Sequence, residues 1–313
     1  MRPALLVIAL LLPLLGACAS RARDVHTPPE PPPLSTSVSP QEFEARLLAE
    51  VARIESDLGC RIGLSFQDKA TGLTVTHNGS SIFHPASTMK VPVMIETFRQ
   101  SEQGLFDLDG TLVVTETFPS MIDGSPYTAS PNPPLRAHLG EPTPIRFIVE
   151  EMIQISDNAA TNMLILLCTP QKITATMREL GARDGFVIRP LEDEEAYKAG
   201  LSNRLSPNDL TTLMAAIDQN RAASPQSCEE MRAILRGQRH RDMIPAKLPP
   251  EAIVGNKTGS ITGHRHDTAI VQAPFATYYL TVLVEGLEDS ETGVNAVADL
   301  SRLIWDLRER MVE

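Results

Sequence analysis

The segment Pro85-Ala86-Ser87-Thr88-Met89-Lys90-Val91 introduces a mostly apolar stretch of the chain. Ser87 and Lys90 are three residues apart, so a helix that begins here places a hydroxyl and an amine on one face. A serine hydroxyl is a weak nucleophile that needs a base, and a lysine can be that base only where burial or neighbouring charge lowers its pKa. The pair predicts a nucleophilic serine, although a helix-capping serine followed by a surface lysine has the same pattern.

Two later triplets make the pattern specific. Ser156-Asp157-Asn158 and Lys257-Thr258-Gly259 follow the first segment in this order. Together with Ser87 and Lys90, they resemble the motif set of class A β-lactamases and, more widely, of penicillin-binding serine acyltransferases. The resemblance extends from near Ser39 to the end of the chain.

The resemblance implies a catalytic role for four residues. Ser87 would attack a lactam or amide carbonyl to form an acyl-enzyme, and Lys90 would share or relay its proton. Ser156 would pass a proton to the leaving nitrogen, a step that needs a hydroxyl able to accept and donate at once. The backbone N–H groups of Ser87 and Ser260 would stabilise the oxyanion.

The same resemblance implies a substrate-binding set. Asn158 would hydrogen-bond a substrate amide, and Lys257 would supply positive potential for a ligand carboxylate. Thr258 and Ser260 would bind that carboxylate, and Gly259 lets the strand edge lie close to the ligand. The resemblance implies neither a cofactor nor a metal.

The sequence departs from the family at the step that releases the acyl group. Hydrolytic class A enzymes carry a loop glutamate, followed four residues later by an asparagine, that holds and activates water. Glu192 is the best match for that glutamate, but Ala196 stands where the asparagine would be. Glu194 and Glu195 compete for the role, and a solvated acidic turn accounts for all of them equally well. Without a placed water the acyl-enzyme would persist.

The expected function is therefore a serine hydrolase that forms an acyl-enzyme with β-lactams and hydrolyses it. A D,D-peptidase that acts on peptidoglycan stem peptides is the related alternative. A sensor or binding lipoprotein that is acylated once and stays so is the alternative from another class. The missing asparagine motivates both alternatives.

Composition limits the other possibilities. The 313 residues are 42% hydrophobic, which is enough for one large domain with a substantial core. A net charge of -11 and an aromatic content of 4% argue against a nucleic-acid partner. We expect a monomer whose partners are a β-lactam or a peptidoglycan peptide.

The N-terminus is predicted to be a targeting segment. Arg2 and the apolar run 4–15 are typical of a signal peptide, which we place at residues 1–17. Cys18 follows Leu-Gly-Ala, as in bacterial lipoprotein signals, and would be lipidated; an ordinary secretory signal cleaved near Ala17 is the alternative. Residues 18–38 are a Pro-rich linker and residues 39–313 the catalytic domain. The expected location is the periplasm of a Gram-negative bacterium, with the lipid in the membrane, by resemblance the outer one.

The order of predicted elements favours an α/β (α+β) fold. A first helix and two strands precede a long helical block, and three strands and a last helix follow it; the strands are expected at residues 61–67, 73–77, 252–256, 268–272 and 278–285. The end strands must meet in one five-stranded antiparallel sheet flanked by helices, and the middle block forms a mostly helical lobe. This is the β-lactamase/transpeptidase-like fold that the resemblance implies, with the site at the lobe junction.

The sequence leaves the roles of a few residues open. Either Arg265 adds charge for a substrate carboxylate or Arg265-His266-Asp267 is only an exposed hairpin tip, and Tyr127 is a candidate for the flank of the pocket mouth. Cys60, Cys168 and Cys228 are odd in number, so they form at most one bridge among themselves.

Overall fold

The computed structural model describes residues 37–311. The predicted signal segment, the lipidation site Cys18 and nearly all of the Pro-rich linker lie outside the described residues. Within the range that is described, no helix is long and apolar enough to cross a membrane.

Helices make up most of the middle of the chain. They are α1 (Pro40–Leu58), a 3₁₀ helix (Ala86–Met89), α2 (Lys90–Glu102), α3 (Pro133–Arg136), α4 (Ile145–Gln154), α5 (Asn158–Cys168), α6 (Pro170–Leu180), α7 (Glu194–Lys198), α8 (Pro207–Asp218), α9 (Pro225–Arg236) and α10 (Ser290–Glu309).

The strands lie mainly near the two ends of the domain. They are β1 (Arg61–Asp68), β2 (Thr74–His77), β3 (Thr111–Val113), β4 (Thr117–Pro119), β5 (Pro126–Thr128), β6 (Pro142–Pro144), β7 (Ile253–Ile261), β8 (His264–Gln272) and β9 (Thr277–Glu285).

The main sheet has five antiparallel strands in the order β2-β1-β9-β8-β7, which confirms the predicted fold class. β1 pairs with β9, so the first and last strand groups meet as expected. Two small ladders, β3 with β6 and β4 with β5, lie in a region that the sequence indicated only as rich in turns.

The sheet separates two hydrophobic clusters because successive side chains of a strand point to opposite faces. Along β9, Leu280 and Val282 pack in the cluster that contains side chains of α1 and α10. Tyr279 and Leu283 pack in the other cluster, with the helices of the middle block. The long helix α2 is buried along almost its whole length in that second cluster, which fixes the position of its first residue, Lys90.

The third motif lies inside a strand and not after it. β7 was expected to end at Asn256, but it continues to Ile261, so Lys257 pairs with Thr268 and Ser260 with Arg265. The prediction of an exposed hairpin tip at residues 265–267 is therefore wrong. His266 and Asp267 are fully buried in β8, and the actual connection to β7 is Thr262-Gly263.

The cysteines of the described part are free thiols, with Cys168 and Cys228 buried and Cys60 partly buried. Burial raises the pKa of the Cys168 thiol to about 12, so it stays protonated and unreactive.

Candidate active site

Ser87 lies in the 3₁₀ helix that leads directly into α2. Ala86 before it has a positive φ of 46°, a conformation that costs a non-glycine residue about 1–3 kcal/mol. The turn is held by Thr88, whose N–H and hydroxyl both donate to the carbonyl of Pro85. Strain of this kind is common where a side chain must be presented to a ligand.

Lys90, the first residue of α2, is fully buried and directed at the second motif. Its Nζ donates to the Ser156 carbonyl and the Asn158 Oδ1, each at 2.7 Å, and to the Ser156 hydroxyl at 3.2 Å. The first and second motifs are thus joined through one amine.

The surroundings of Lys90 favour its neutral form. Burial, and then the positive charge of Lys257, lower its pKa well below the ordinary value, and the charges of Asp157 and Glu192 oppose that shift only in part. A neutral amine has two N–H donors and one lone pair. In that neutral form the two N–H groups serve the acceptors at 2.7 Å and the lone pair can accept a proton, whereas the protonated amine also donates to the Ser156 hydroxyl.

The hydroxyl of Ser156 lies between two lysines. Its Oγ accepts from Lys257 Nζ at 3.0 Å as well as from Lys90. A hydroxyl oxygen that accepts twice still has its own hydrogen to donate. Ser156 has a positive φ of 63°, and the next residue, Asp157, caps α5 by accepting from the Ala160 N–H at 2.8 Å. The turn therefore aims Ser156 outwards while the helix behind it is fixed.

Lys257 is also fully buried, in the middle of β7. Its Nζ donates to the Thr258 carbonyl at 2.8 Å in addition to Ser156. Burial lowers its pKa to about 7, against the negative charge of Asp267, which raises it. Lys257 therefore loses its positive charge easily near neutral pH. A bound ligand anion would favour the charged form.

Gly259 lets β7 pass directly against the serine turn. A Cβ at this position would lie 3.0 Å from the Pro85 carbonyl oxygen and 3.1 Å from the backbone nitrogen of Ser87. Contacts this short are tighter than nearly all that a real Cβ makes, and both involve backbone atoms that have little freedom to move, so the close approach itself favours glycine. The result places Ser260 beside Ser87, as an oxyanion site built from their N–H groups needs.

The three motifs line one cleft with two recesses. Ser87, Asn158 and Ser260 line both recesses. The first recess, of about 380 Å³, continues along His84, Arg189, Leu191, Glu192, Tyr197, Asn203 and His264. The second, of about 320 Å³, continues along Ser156, His240, Asp242, Met243 and Thr258. Lys90 and Lys257 lie beneath the cleft and reach it through Ser156.

Glu192 is the acidic residue of its segment that reaches the cleft. Its Oε1 accepts from the Asn158 Nδ2 at 2.7 Å. Glu194 and Glu195 are exposed and pair with Lys198 in α7, away from the residues that line either recess. Ala196 is fully buried and lines neither recess, so it does not replace the missing asparagine.

Two buried asparagines that sequence reasoning missed hold the segment around Glu192. Asn162 Oδ1 accepts from the Leu191 N–H at 2.6 Å, and its Nδ2 donates to the Leu191 carbonyl at 2.9 Å. Asn203 binds the backbone of Ile188 and Arg189 in the same manner. A signal for Asn162 existed, since it lies one helical turn after Asn158, but a single asparagine in a helix does not reveal its partner.

The structure also shows the surroundings of Arg265 and Tyr127, whose roles the sequence left open. Arg265 donates to the carbonyls of Ile261 and His264 and does not line the cleft. Tyr127 is partly buried, and its hydroxyl accepts from Asn162 Nδ2 at 3.3 Å. Within residues 37–311, no group of three or more His, Cys, Asp or Glu side chains is arranged to hold a metal ion.

Comparison with known proteins gives a consistent result. Residues 46–307 match the sequence model described as "Beta-lactamase enzyme family". A β-lactamase from Rhodobacter capsulatus is 27% identical over 262 residues, 81% of this chain and 85% of that protein.

Solved structures with the same fold include a β-lactamase from Sphaerobacter thermophilus. It is 28% identical, with a TM-score of 0.73, over 86% of this chain and 99% of that one. A point mutant of PBP-A, solved as an acyl-enzyme complex with penicillin G, is 24% identical with a TM-score of 0.75 over 87% and 97% of the two chains. The second similarity supports the fold alone.

Proposed function

Because the chain belongs to the β-lactamase enzyme family of class A, we propose that it is a serine β-lactamase that forms an acyl-enzyme on Ser87 and releases it by hydrolysis. The observation that carries the proposal is the Ser156 hydroxyl, which accepts from Lys90 and Lys257 and lines a recess that Ser87 also lines.

The proposed acylation step uses these groups together with Ser87, which lines the same recess as Ser156. Neutral Lys90 takes the hydroxyl proton as Ser87 Oγ bonds to the lactam carbonyl carbon, and the N–H groups of Ser87 and Ser260 stabilise the oxyanion. The carbon–nitrogen bond then breaks. Ser156 gives its proton to the leaving nitrogen and regains one from the lysines that donate to it.

Substrate binding uses the second recess and the strand edge. Lys257, through its positive charge, and Thr258 with Ser260, through their hydroxyls, suit the carboxylate on the leaving side of a β-lactam. Asn158 can donate to an amide on the acyl side. No metal or cofactor takes part in any of these steps as we propose them.

Deacylation is assigned to Glu192. Its carboxylate takes a proton from water as the water oxygen attacks the ester carbonyl, and it returns that proton to the Ser87 oxygen when the ester bond breaks. The hydrogen bond from Asn158 orients the carboxylate, in a segment already fixed by Asn162.

Repeated turnover of a chromogenic cephalosporin tests this proposal. The wild-type protein is expected to hydrolyse many equivalents, and Ser87→Ala none, with the Ser202→Ala variant as a control outside the motifs. Full activity in Ser87→Ala would overturn the nucleophile assignment.

A second candidate, a D,D-peptidase, is favoured by one specific observation. Ala196, at the sequence position where the family has its asparagine, has no amide and lines neither recess, so this residue cannot hold the hydrolytic water. Slow loss of a penicilloyl group together with release of D-Ala from a pentapeptide would support this candidate. A stoichiometric burst without steady turnover of either substrate would instead indicate a sensor.

We also propose, from the sequence, that Cys18 is lipidated and anchors the domain in the periplasm, at the outer membrane. Metabolic labelling with palmitate in a Gram-negative host is expected to mark the wild-type protein and not Cys18→Ala. Equal labelling of the two proteins, or none of either, would contradict the assignment.

A further inference from the structure

Arg189 lies in the wall of the first recess with an incompletely paired guanidinium. The residue is only 6% exposed, yet it lines the recess that Ser87 also lines. Its Nη1 donates to the Pro190 carbonyl at 3.0 Å, while its Nε is buried without a hydrogen-bond partner. Among residues 37–311 it forms no ion pair. Buried arginines are almost always paired, because an unpaired buried charge is costly.

The acidic groups near Arg189 accept hydrogen bonds from other residues. Asp193 Oδ1 accepts from the Ser120 hydroxyl and the Ala196 N–H, and its Oδ2 accepts from the Met121 N–H. Glu192, which lines the same recess, accepts from Asn158. Asp193 therefore stabilises the positive charge of Arg189 only through space, and neither carboxylate accepts a hydrogen bond from the guanidinium, which leaves that role to a ligand.

His84 and Tyr197, which also line the recess, leave Arg189 as its buried cation. Burial, followed by the positive charges of His264 and Arg189, lowers the pKa of His84, so this imidazole is neutral near pH 7. The Tyr197 ring lies 5.7 Å from the Arg189 Cζ, close enough for a cation–π contact that orients the guanidinium.

We propose that Arg189 binds a carboxylate on the acyl side of the ligand, the part that stays attached to Ser87. The inference rests on the proposed acyl-enzyme chemistry. Because the second recess takes the leaving side, the first recess, which Glu192 lines, is left for the acyl side. A planar guanidinium suits a carboxylate because it can donate two parallel hydrogen bonds. That carboxylate has two sources, the side chain of a carboxylated penicillin or an acidic stem peptide.

Carbenicillin and benzylpenicillin make a matched pair for the test, since they differ by one carboxylate in the acyl side chain. The second-order acylation rates of both are measured in wild type, Arg189→Gln and Arg189→Lys. The carbenicillin-to-benzylpenicillin ratio is expected to fall about tenfold in Arg189→Gln, the effect of one charged hydrogen bond of about 1.5 kcal/mol, and less in Arg189→Lys. Arg265→Gln removes an equal charge outside the recess and should leave the ratio unchanged. An unchanged ratio in Arg189→Gln overturns the inference.

A binding measurement separates this inference from the proposed function. Calorimetry of the two penicillins with Ser87→Ala, and with Ser87→Ala combined with Arg189→Gln, reports the same ratio without any acyl transfer. If no adduct forms on Ser87 in the wild-type protein, the proposed function fails. The ratio of the two penicillin affinities still shows whether Arg189 binds the carboxylate. The same comparison is made with two pentapeptides whose third residue is diaminopimelate or lysine, which again differ by one carboxylate. If Arg189→Gln changes the ratio for the two peptides and not for the two penicillins, the carboxylate that Arg189 binds belongs to the stem peptide.

Discussion

The Nζ atom of Lys257 lies 3.0 Å from the hydroxyl oxygen of Ser156 and donates a hydrogen bond to it. Lys90 donates to the same oxygen at 3.2 Å, so a strand, a turn and a helix that are far apart in sequence meet on one hydroxyl. Ser156 is therefore the residue through which a proton can leave the cleft floor and reach a substrate.

Replacing Ser156 by alanine is expected to slow acylation by about 10²-fold or more, the usual contribution of one positioned proton-transfer group. Stopped-flow measurement of cephalosporin ring opening gives the acylation rate. Binding of benzylpenicillin to Ser87→Ala and to Ser87→Ala combined with Ser156→Ala should differ little. A rate unaffected by Ser156→Ala would remove this residue from the proton path.

The two buried lysines predict a bell-shaped pH dependence of kcat/KM. Lys90 must be neutral to accept a proton, so the rate rises with pH through its lowered pKa. Lys257 must be charged to hold a carboxylate, so the rate falls as pH rises past its pKa of about 7. A pH profile that rises without a maximum up to pH 10 would contradict this assignment of Lys257.

Asp267→Asn tests the same assignment independently. Burial raises the pKa of Asp267 itself to about 7, and in its ionised form it raises the pKa of Lys257, so its removal should move the alkaline limb to lower pH. The amide can keep the contacts that Asp267 makes to the side chain of Asn256 and the N–H of Ile244 only in part, so urea unfolding should accompany the measurement. A limb that stays in place while stability is retained would show that another group titrates there.

Glu192→Gln is expected to slow deacylation more than acylation, so that a mass adduct on Ser87 accumulates. The reason is that Glu192 lines the cleft and the amide cannot take a proton from water. Glu194→Gln and Glu195→Gln are matched controls on the exposed helix α7 and should leave the adduct lifetime unchanged. If the adduct lifetime is unchanged in Glu192→Gln but longer in one of the two controls, the deacylation role belongs to the glutamate replaced in that control.

Much of this arrangement could be predicted from the sequence because the motifs report directly on chemistry. Hydrophobic periodicity at the two ends of the domain predicted the five strands and the two outer helices, since burial on one face fixes that pattern. The sequence did not reveal that β7 continues through Lys257 and Gly259. Those residue types favour turns, and only pairing with β8 keeps them extended.

For a related reason, the sequence does not predict the hydrogen bonds that hold the site in place. The partner of Asn162 is the backbone of Leu191, 29 residues later, and any residue type could supply that backbone. The buried Nε of Arg189, which has no hydrogen-bond partner, likewise becomes visible only in the folded structure.

Asn162→Ala should reduce both stability and deacylation. It leaves the N–H and carbonyl of Leu191 without partners, at a cost of about 1–3 kcal/mol in the free energy of unfolding. It also frees the segment that positions Glu192. Urea unfolding and adduct lifetime are the measurements, with Asn295→Ala, an exposed position of α10, as the control. Loss of stability with an unchanged lifetime would mean that Asn162 supports the fold but not the reaction.

Time-resolved intact-mass spectrometry of the protein mixed with benzylpenicillin tests the central claim most directly. The account predicts an adduct of one penicillin on Ser87 that forms and then disappears as penicilloate is released, with no adduct on Ser87→Ala. Failure of the wild-type protein to form any adduct, or an adduct that persists on Ser87→Ala, would contradict the claim that Lys90, Ser156 and Lys257 serve this hydroxyl.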